Sequence, residues 1–185
     1  VELTGCPPET YKPLLEILEQ MGCGVKYGPE SVVVSRFGRL HGAGKVFTGV
    51  YPALATDAAP LLAAAMLTAD SESSIEDVVF ERRFACAEGF AAFGGRVCTE
   101  GRTLCILPCT GLKGANTAAP DLRGGAALVI AALAAQGKSR VTNTALIDRG
   151  YAGFAPMLAE LGSEIRRETR PSDGTEKKRH AKNQF

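Results

Sequence analysis

The sequence predicts an α/β (α+β) fold of repeated βαβαββ units in which sheets enclose buried helices. Two observations lead to this prediction. The first is that the Ala- and Leu-rich runs 58–69 and 124–135 contain no charged residue. A helix that is apolar on every side is buried within protein, and both runs are shorter than the roughly 20 residues that cross a bilayer. The second observation is an internal repeat.

The repeat has the form apolar-x-x-apolar-Gly-x-x-apolar and occurs three times. It is found as LEQMGCGV at 18–25, FAAFGGRV at 90–97 and LAELGSEI at 158–165. This pattern is typical of a helix that is stopped by glycine and followed by a strand. The three copies therefore predict a repeating unit of about 70 residues. Each unit is long enough to form one supersecondary element.

The elements are predicted in chain order from this unit. The second unit is expected to contain a helix at 57–69, a strand at 73–79, a helix near 84–93, and strands at 96–100 and 103–107. The third unit is expected to contain a helix at 123–136, a strand at 139–146, a helix at 151–161 and a short strand from Ser163. Apolar periodicity and glycine stops support each element.

The first unit is predicted to be incomplete. Its strand VELTG, at 1–5, leads directly to a helix near 9–21, so the opening strand and the buried helix of the unit are missing. Together with the lack of an initiator methionine, this predicts a piece of a longer protein.

Charge divides the chain into a predicted domain at 1–168 and a basic tail at 169–185. Residues 1–165 carry a net charge of −3 and residues 166–185 carry +4. The tail lacks the apolar residues needed to fold and is expected to be disordered. Because no aromatic residues interleave its basic run, nucleic-acid binding is not expected.

The cysteine and histidine counts exclude several kinds of site. The chain has six cysteines and two histidines, with no CxxC motif and no signal peptide. This predicts free thiols in a reducing cytoplasm, and neither a metal site nor a cofactor is expected. There is also no phosphate loop of the GxxxxGK[ST] type and no GxGxxG motif.

The predicted helix starts carry an unusual pattern of charge. Three of them combine an acid with a nearby arginine: Glu81 with Arg82 and Arg83, Asp121 with Arg123, and Asp148 with Arg149. The positive end of a helix dipole disfavours a cation. One interpretation is that each acid caps its helix, while the neighbouring arginine pairs with that acid or with solvent.

The other interpretation is a shared anion pocket. If the helices of successive repeats direct their N-termini to one side, their arginines would surround an anion there. Asp57 starts its helix without an arginine and would be a free carboxylate at the edge of this pocket. The implied ligand is small, polar and multiply anionic.

Four stretches carry a family resemblance. YPALATDAAP, VVFERRF, APDLRGGAALVIAALAAQG and LIDRGYAGFAPMLAELGSEI occur in this order between residues 51 and 165. They resemble the UDP-N-acetylglucosamine enolpyruvyl transferases (1-carboxyvinyltransferases), and the resemblance covers nearly all of 1–168. It implies a domain of the inverse α/β-barrel type, one of two that enclose the active site.

The resemblance also implies the reaction and its residues. The family moves an enolpyruvyl group from phosphoenolpyruvate to the 3-hydroxyl of UDP-N-acetylglucosamine, the first step of peptidoglycan synthesis. Asp57 resembles the aspartate that contacts this hydroxyl and is expected to be the general base. Val79 is expected to make a backbone contact to the sugar nucleotide. Arg83, Arg123 and Arg149 resemble arginines that lie at the cleft.

The general acid is not assigned to this chain. In the family it is usually a cysteine on a loop of the other domain, and none of the six cysteines here lies in a matching motif. The chain alone is therefore expected to be inactive and to act with the missing N-terminal half of the same enzyme.

Two other functions stay open at this point. One is a noncatalytic repeat module that binds anions or a partner protein. The other is an enolpyruvyl transferase that acts on another alcohol, such as shikimate 3-phosphate.

Overall fold

The structure, a computed structural model, describes residues 1–168. The predicted basic tail, 169–185, lies outside the described residues. The strands are β1 (Glu2–Thr4), β2 (Cys23–Tyr27), β3 (Ser31–Arg36), β4 (Gly44–Phe47), β5 (Ser73–Glu76), β6 (Arg96–Glu100), β7 (Thr103–Leu107), β8 (Asn116–Ala118) and β9 (Arg140–Thr142). The α-helices are α1 (Lys12–Gln20), α2 (Ala59–Met66), α3 (Ala87–Ala92), α4 (Leu122–Ala134), α5 (Ala145–Asp148) and α6 (Phe154–Glu160).

The second unit confirms the predicted βαβαββ order. It runs β4, α2, β5, α3, β6, β7, and its strands form one sheet in the order β4-β5-β7-β6. Strands β4 and β5 are parallel and joined through α2, whereas β5–β7 and β6–β7 are antiparallel. The first unit has the sheet order β1-β3-β2, which repeats the arrangement of β5-β7-β6. In the third unit β8 and β9 are parallel, like β4 and β5.

The core lies around α2 and α4, which pack against each other. Six of the eight residues of α2 are buried, as are seven of the thirteen of α4. The sheet residues Ile75, Leu104 and Ile106 belong to the same buried hydrophobic cluster as residues of α2 and α3. The prediction of helices enclosed by sheets is therefore confirmed, although the sheets of residues 1–168 do not close into a barrel.

Three glycines end equivalent helices in the same way. Gly22, Gly94 and Gly162 follow α1, α3 and α6 with φ of +94°, +84° and +92°. Each donates its N–H to the carbonyl three residues earlier, at 2.8–2.9 Å. Only glycine adopts this left-handed conformation without cost, so the motif that defined the repeat works as a helix stop in all three units.

The predicted strands 73–79 and 139–146 are too long. Strand β5 ends at Glu76 because the side chain of Asp77 accepts hydrogen bonds from the N–H groups of Val79 and Phe80 and turns the chain. Strand β9 ends at Thr142 because Asn143 has a φ of +57°, which extended chain does not permit. Residues 145–148 then form a helix rather than a strand.

The predicted strand from Ser163 is wrong for the described residues. After α6, residues 163–168 form neither a strand nor a helix. In the other two units the strand after the glycine stop pairs with the following strand, as β2 does with β3. Within residues 1–168 no strand follows Ser163 to supply that partner, and a strand needs one for its hydrogen bonds.

The longest helix of residues 1–168 is α4, with 13 residues. None of the helices within residues 1–168 is long and apolar enough to cross a membrane.

Candidate functional site

The first turns of α2 and α4 lie beside each other. Asp57 is in a single 3₁₀ turn, Thr56–Ala58, that leads into α2. Arg123 is the second residue of α4, whose N-cap Asp121 accepts a hydrogen bond from the N–H of Gly124 at 2.7 Å. The Arg123 guanidinium reaches across and donates from Nη2 to Asp57 Oδ2 at 2.7 Å. The predicted alignment of helix N-termini therefore holds for α2 and α4.

Asp57 is not the free carboxylate that the sequence suggested. In addition to the bond from Arg123, its Oδ1 lies 3.5 Å from Nη2 of Arg83. Two arginines from different repeats thus hold one carboxylate from two sides. The Asp57 side chain is still 52% exposed, so a ligand atom can approach it from solvent.

Arg83 is more enclosed than Asp57 or Arg123. Its side chain is 9% exposed, and its Nε donates to Thr56 Oγ1 at 2.9 Å. The guanidinium lies over the Phe80 ring, 4.3 Å from its centroid, which is a favourable cation–π distance. Because it is held by a hydroxyl, a ring and two carboxylates, Arg83 has little freedom to move.

Asp77 is the second carboxylate that faces Arg83. It is completely buried, and its Oδ2 accepts from the Thr56 hydroxyl and lies 3.5 Å from Arg83 Nε. Burial by itself would raise the pKa of Asp77. The hydrogen bonds from Thr56, Phe80 and Val79 and the charge of Arg83 outweigh burial and lower the pKa. Asp77 is therefore a buried anion that orders the loop after β5.

The four charged groups form an alternating series, Asp77, Arg83, Asp57 and Arg123. The hydrogen bond with Asp57 raises the pKa of Arg123, against the opposing effect of burial. The Arg123 Nε is buried and has no hydrogen-bond partner within residues 1–168. Each charge in the series is thus balanced by the next, with the exposed end at Asp57 and Arg123.

A cleft of about 670 Å³ lies next to this series. It is lined by Val79, Phe80, Glu81, Arg82, Arg83, Arg102, Asp121 and Arg123. Four arginines and two acids contribute to this lining. Arg83, Arg102 and Arg123 pair with carboxylates, whereas Arg82 forms no ion pair within residues 1–168, so it is the cation that an anionic ligand would meet unpaired. Of the residues that the resemblance singled out, Val79, Arg83 and Arg123 line the cleft and Asp57 is joined to its wall.

Arg149 is placed differently from the prediction. It caps the C-terminal end of α5 rather than a helix start, a place where the helix dipole favours a cation. It is exposed, does not line the cleft and forms no ion pair within residues 1–168. The predicted repeat of cations at helix starts is therefore right only for Arg123.

The interpretation in which each acid caps its helix holds for Asp121, but no acid of the motif pairs with its neighbouring arginine within residues 1–168. Glu81 accepts from Arg102 at 3.0 Å, and Asp148 accepts two bonds from Arg167 at 2.9 and 2.6 Å. Asp121 caps its own helix. Glu81 and Asp148 are thus engaged by arginines that are distant in sequence.

Four site residues were missed by reasoning from the sequence. Asp77, Thr56 and Arg102 had no distinguishing spacing, although Thr56 lies within YPALATDAAP and Asp77 directly precedes VVFERRF. Tyr151 belongs to the IDRGY stretch. Burial raises its pKa, which the charge of Arg123 lowers and that of Asp57 raises, so its hydroxyl is close to the same pair.

Known proteins similar to this chain include enolpyruvyl transferases. The sequence profile of the family described as EPSP synthase (3-phosphoshikimate 1-carboxyvinyltransferase) matches residues 1–158. Among curated relatives, a UDP-N-acetylglucosamine 1-carboxyvinyltransferase of Finegoldia magna is 36% identical over 169 residues, and one of Rhodopseudomonas palustris is 35% identical over 167 residues. Both alignments cover 90% of this chain but 40% and 39% of the relative. The chain thus spans about 40% of the length of these relatives.

Solved structures give the same result for the fold. The enolpyruvyl transferase NikO from Streptomyces tendae superposes with a TM-score of 0.81 at 29% identity, covering 92% of this chain and 40% of that one. An EPSP synthase from Acinetobacter baumannii superposes with a TM-score of 0.57 at 19% identity, covering 71% and 32%. These comparisons confirm the predicted fold class and the resemblance based on the motifs.

Proposed function

Because this chain belongs to the EPSP synthase (3-phosphoshikimate 1-carboxyvinyltransferase) family, we propose that its cleft is part of an enolpyruvyl transfer site. The donor is phosphoenolpyruvate and the acceptor is the 3-hydroxyl of UDP-N-acetylglucosamine. The names of the relatives at 33–36% identity support this acceptor.

The observation that carries the proposal is the position of Asp57. Its carboxylate is fixed by Arg123 and Arg83 yet half-exposed beside the cleft. A general base must be held within hydrogen-bond reach of the proton that it removes. Asp57 meets this requirement for a hydroxyl bound in the cleft: it accepts the hydroxyl proton while the oxygen attacks C2 of the enolpyruvyl group.

The arginines of the cleft supply fixed positive charge for the donor. Phosphoenolpyruvate carries a carboxylate and a phosphate, and guanidinium groups bind both in a bidentate manner. Arg82, Arg102 and Arg123 line the cleft, and charge placed in advance stabilises the tetrahedral adduct as it forms. Val79 is 43% exposed in the same lining, which suits a backbone contact to the sugar nucleotide. Arg149 is exposed and is available to the same ligands.

The remaining requirement is an acid that protonates the methylene carbon. None of the six cysteines of this chain is assigned that role. We therefore expect turnover to need the part of the relatives that this chain does not span, and we place the reaction in the cytoplasm. Alone, the 185-residue chain is expected to bind substrates without converting them.

A binding experiment on the 185-residue chain tests the arginines. Saturation-transfer NMR with phosphoenolpyruvate is expected to show binding by the wild-type chain. Arg123→Ala should weaken that binding about tenfold or more, since a charged hydrogen bond contributes roughly 1.5–3 kcal/mol. Arg96→Ala is the matched control, because Arg96 lies outside this cleft and donates to the carbonyl of Pro108. Equal affinities of the two variants would remove Arg123 from the site.

A turnover experiment tests Asp57 and the acceptor. Residues 1–158 would replace the matching segment of the Finegoldia magna relative, and inorganic phosphate release would be measured with UDP-N-acetylglucosamine and, separately, with shikimate 3-phosphate. We expect release with the sugar nucleotide, and a loss on the order of a hundredfold or more for Asp57→Asn. If Asp57→Asn releases phosphate at an unchanged rate, Asp57 is not the general base. If phosphate is released with shikimate 3-phosphate but not with UDP-N-acetylglucosamine, the proposed acceptor is wrong.

A further inference from the structure

The hairpin of β6 and β7 places two cysteines directly opposite each other. In its antiparallel register Cys98 pairs with Cys105. The strands are joined by a two-residue turn, Gly101 and Arg102, in which Gly101 has a φ of +59°. A two-residue turn fixes the register of a hairpin, so the pairing of the two cysteines follows from the turn.

Both thiols lie on the outer face of the sheet. Along β7 the residues on either side of Cys105, Leu104 and Ile106, are buried in the core. Side chains alternate between the faces of a strand, so Cys105 points away from the core. Cys105 is partly buried and Cys98 is exposed, and small reagents can therefore reach the pair from solvent.

The geometry of the pair suits a disulfide. Residues directly opposite in an antiparallel ladder have Cα atoms about 4.5–5.5 Å apart. Disulfides span Cα separations of about 4.4–6.8 Å. Burial raises the pKa of the Cys105 thiol, and the neighbouring Cys98 raises it further. The Cα separation typical of such a pair thus falls within the range that disulfides span.

We propose that Cys98 and Cys105 form a reversible redox-modification site whose oxidant is a low-molecular-weight disulfide such as glutathione disulfide. The exposed Cys98 thiolate attacks one sulfur of the oxidant, forms a mixed disulfide and releases one thiolate. Cys105 loses its proton and attacks Cys98 Sγ, releasing the second. Two thiol protons leave the protein, one S–S bond forms, and the two electrons pass to the oxidant, which becomes two thiols.

Cys86 illustrates how an unreactive thiol differs from the pair Cys98 and Cys105. Cys86 is completely buried, and burial raises the pKa of its thiol to about 12. A thiol without access and without a thiolate fraction does not react. Cys98 and Cys105 have both the access and a resolving partner.

The site is tested on the 185-residue chain with glutathione disulfide under native conditions. We expect two of the six thiols to be lost, the mass to fall by two hydrogen atoms, and dithiothreitol to reverse both changes. Trypsin cuts after Arg96, Arg102 and Lys113, so the bond would join peptides 97–102 and 103–113. Because the second peptide also contains Cys109, Cys109→Ser is the matched control and should still form the bond.

A register control separates the folded hairpin from simple closeness in sequence. The double variant Cys98→Ser/Thr99→Cys moves the first thiol to the other face of β6 and leaves it six residues from Cys105. We expect this variant to lose thiols in pairs at least tenfold more slowly than the wild type, because the two sulfurs lie on opposite faces of the hairpin. Equal rates, or a wild-type product that stops at a glutathione adduct, would overturn the proposal.

Discussion

Removal of the Asp77 carboxylate should destabilise the fold more than any surface charge deletion. In Asp77→Ala, Thr56 loses its acceptor, the N–H groups of Val79 and Phe80 lose theirs, and Arg83 loses one of its two carboxylates. Breaking a buried ion pair from one side costs about 3–5 kcal/mol. We expect the lower end of this range, about 3 kcal/mol, because Arg83 keeps Asp57 and the residues that carry the two N–H groups, Val79 and Phe80, are exposed.

The assay is urea unfolding of the chain, with thermal unfolding beside it. In a chain of this size each kcal/mol lowers Tm by roughly 2–4 °C, so about 3 kcal/mol corresponds to roughly 6–12 °C. Asp70→Ala is the control, since the Asp70 carboxylate accepts from His41 and Ser71 at the surface and should contribute much less to stability. If both variants lose the same stability, the buried series of charges does not stabilise the loop after β5.

The lowered pKa of Asp77 gives the same prediction a pH dependence. The folded state favours the carboxylate, so its contribution is complete above the ordinary value of 3.8 and is lost as pH falls through the lowered folded value. The stability difference between wild type and Asp77→Asn should therefore be large at neutral pH and shrink well below pH 3.8. A difference that does not change with pH would show that the asparagine acts through packing alone.

Two further substitutions test the packing of α4 and the surface arginines. Gly125→Ala would place a Cβ 2.6 Å from that of Ala119 and 2.8 Å from Cγ1 of Ile147, and it should cost about 1–3 kcal/mol in urea unfolding; a neutral result would mean that α4 can shift away from α5. Arg149→Ala should change stability by less than about 0.5 kcal/mol, whereas Arg167→Ala, which breaks the pair with Asp148, should cost up to about 1 kcal/mol. The reverse order would mean that Arg149 has a structural partner.

The parts of the fold that depend on local chemistry could be predicted from the sequence. Strands 96–100 and 103–107 have their predicted bounds because Gly94 and Gly95 precede the hairpin and Gly101 marks its turn. The buried helices were recognised from composition alone. Helix α5 was missed because its formation depends on Asn143 in the left-handed region and on Ile147 packing against Gly125, neither of which has a periodic signal in four residues.

In the site, too, the sequence identified individual residues but not the long-range contacts between them. The sequence marked Asp57, Arg83 and Arg123, but it did not show which carboxylate each arginine contacts. Which carboxylate an arginine contacts depends on the packing of units, and Asp57 and Arg123 are 66 residues apart. Asp77 escaped notice because an isolated aspartate after a strand is usually a turn residue. Only its complete burial beside Arg83 distinguishes it.

The repeat nevertheless explains why these groups meet, and why the site is asymmetric. An offset of 67 residues aligns FERRF at 80–84 with IDRGY at 147–151, so Arg82 corresponds to Arg149 and Arg83 to Gly150. In both units the acid of the motif pairs with an arginine about twenty residues later in the chain. At the next position the units differ.

The difference lies at Gly150, which has no room for a side chain. A Cβ there would lie 2.6 Å from Cδ1 of Leu122, the residue before Arg123. The third unit therefore uses this position to hold the start of α4, which carries Arg123, whereas the second unit uses it for the arginine that braces Asp57. A repeated scaffold thus delivers two different arginines to one carboxylate, and Gly150→Ala should displace Arg123 while leaving Arg83 in place. We expect Gly150→Ala to lose phosphoenolpyruvate binding and to keep the stability that depends on Asp77. Loss of both would contradict this division of roles between Gly150 and Arg83.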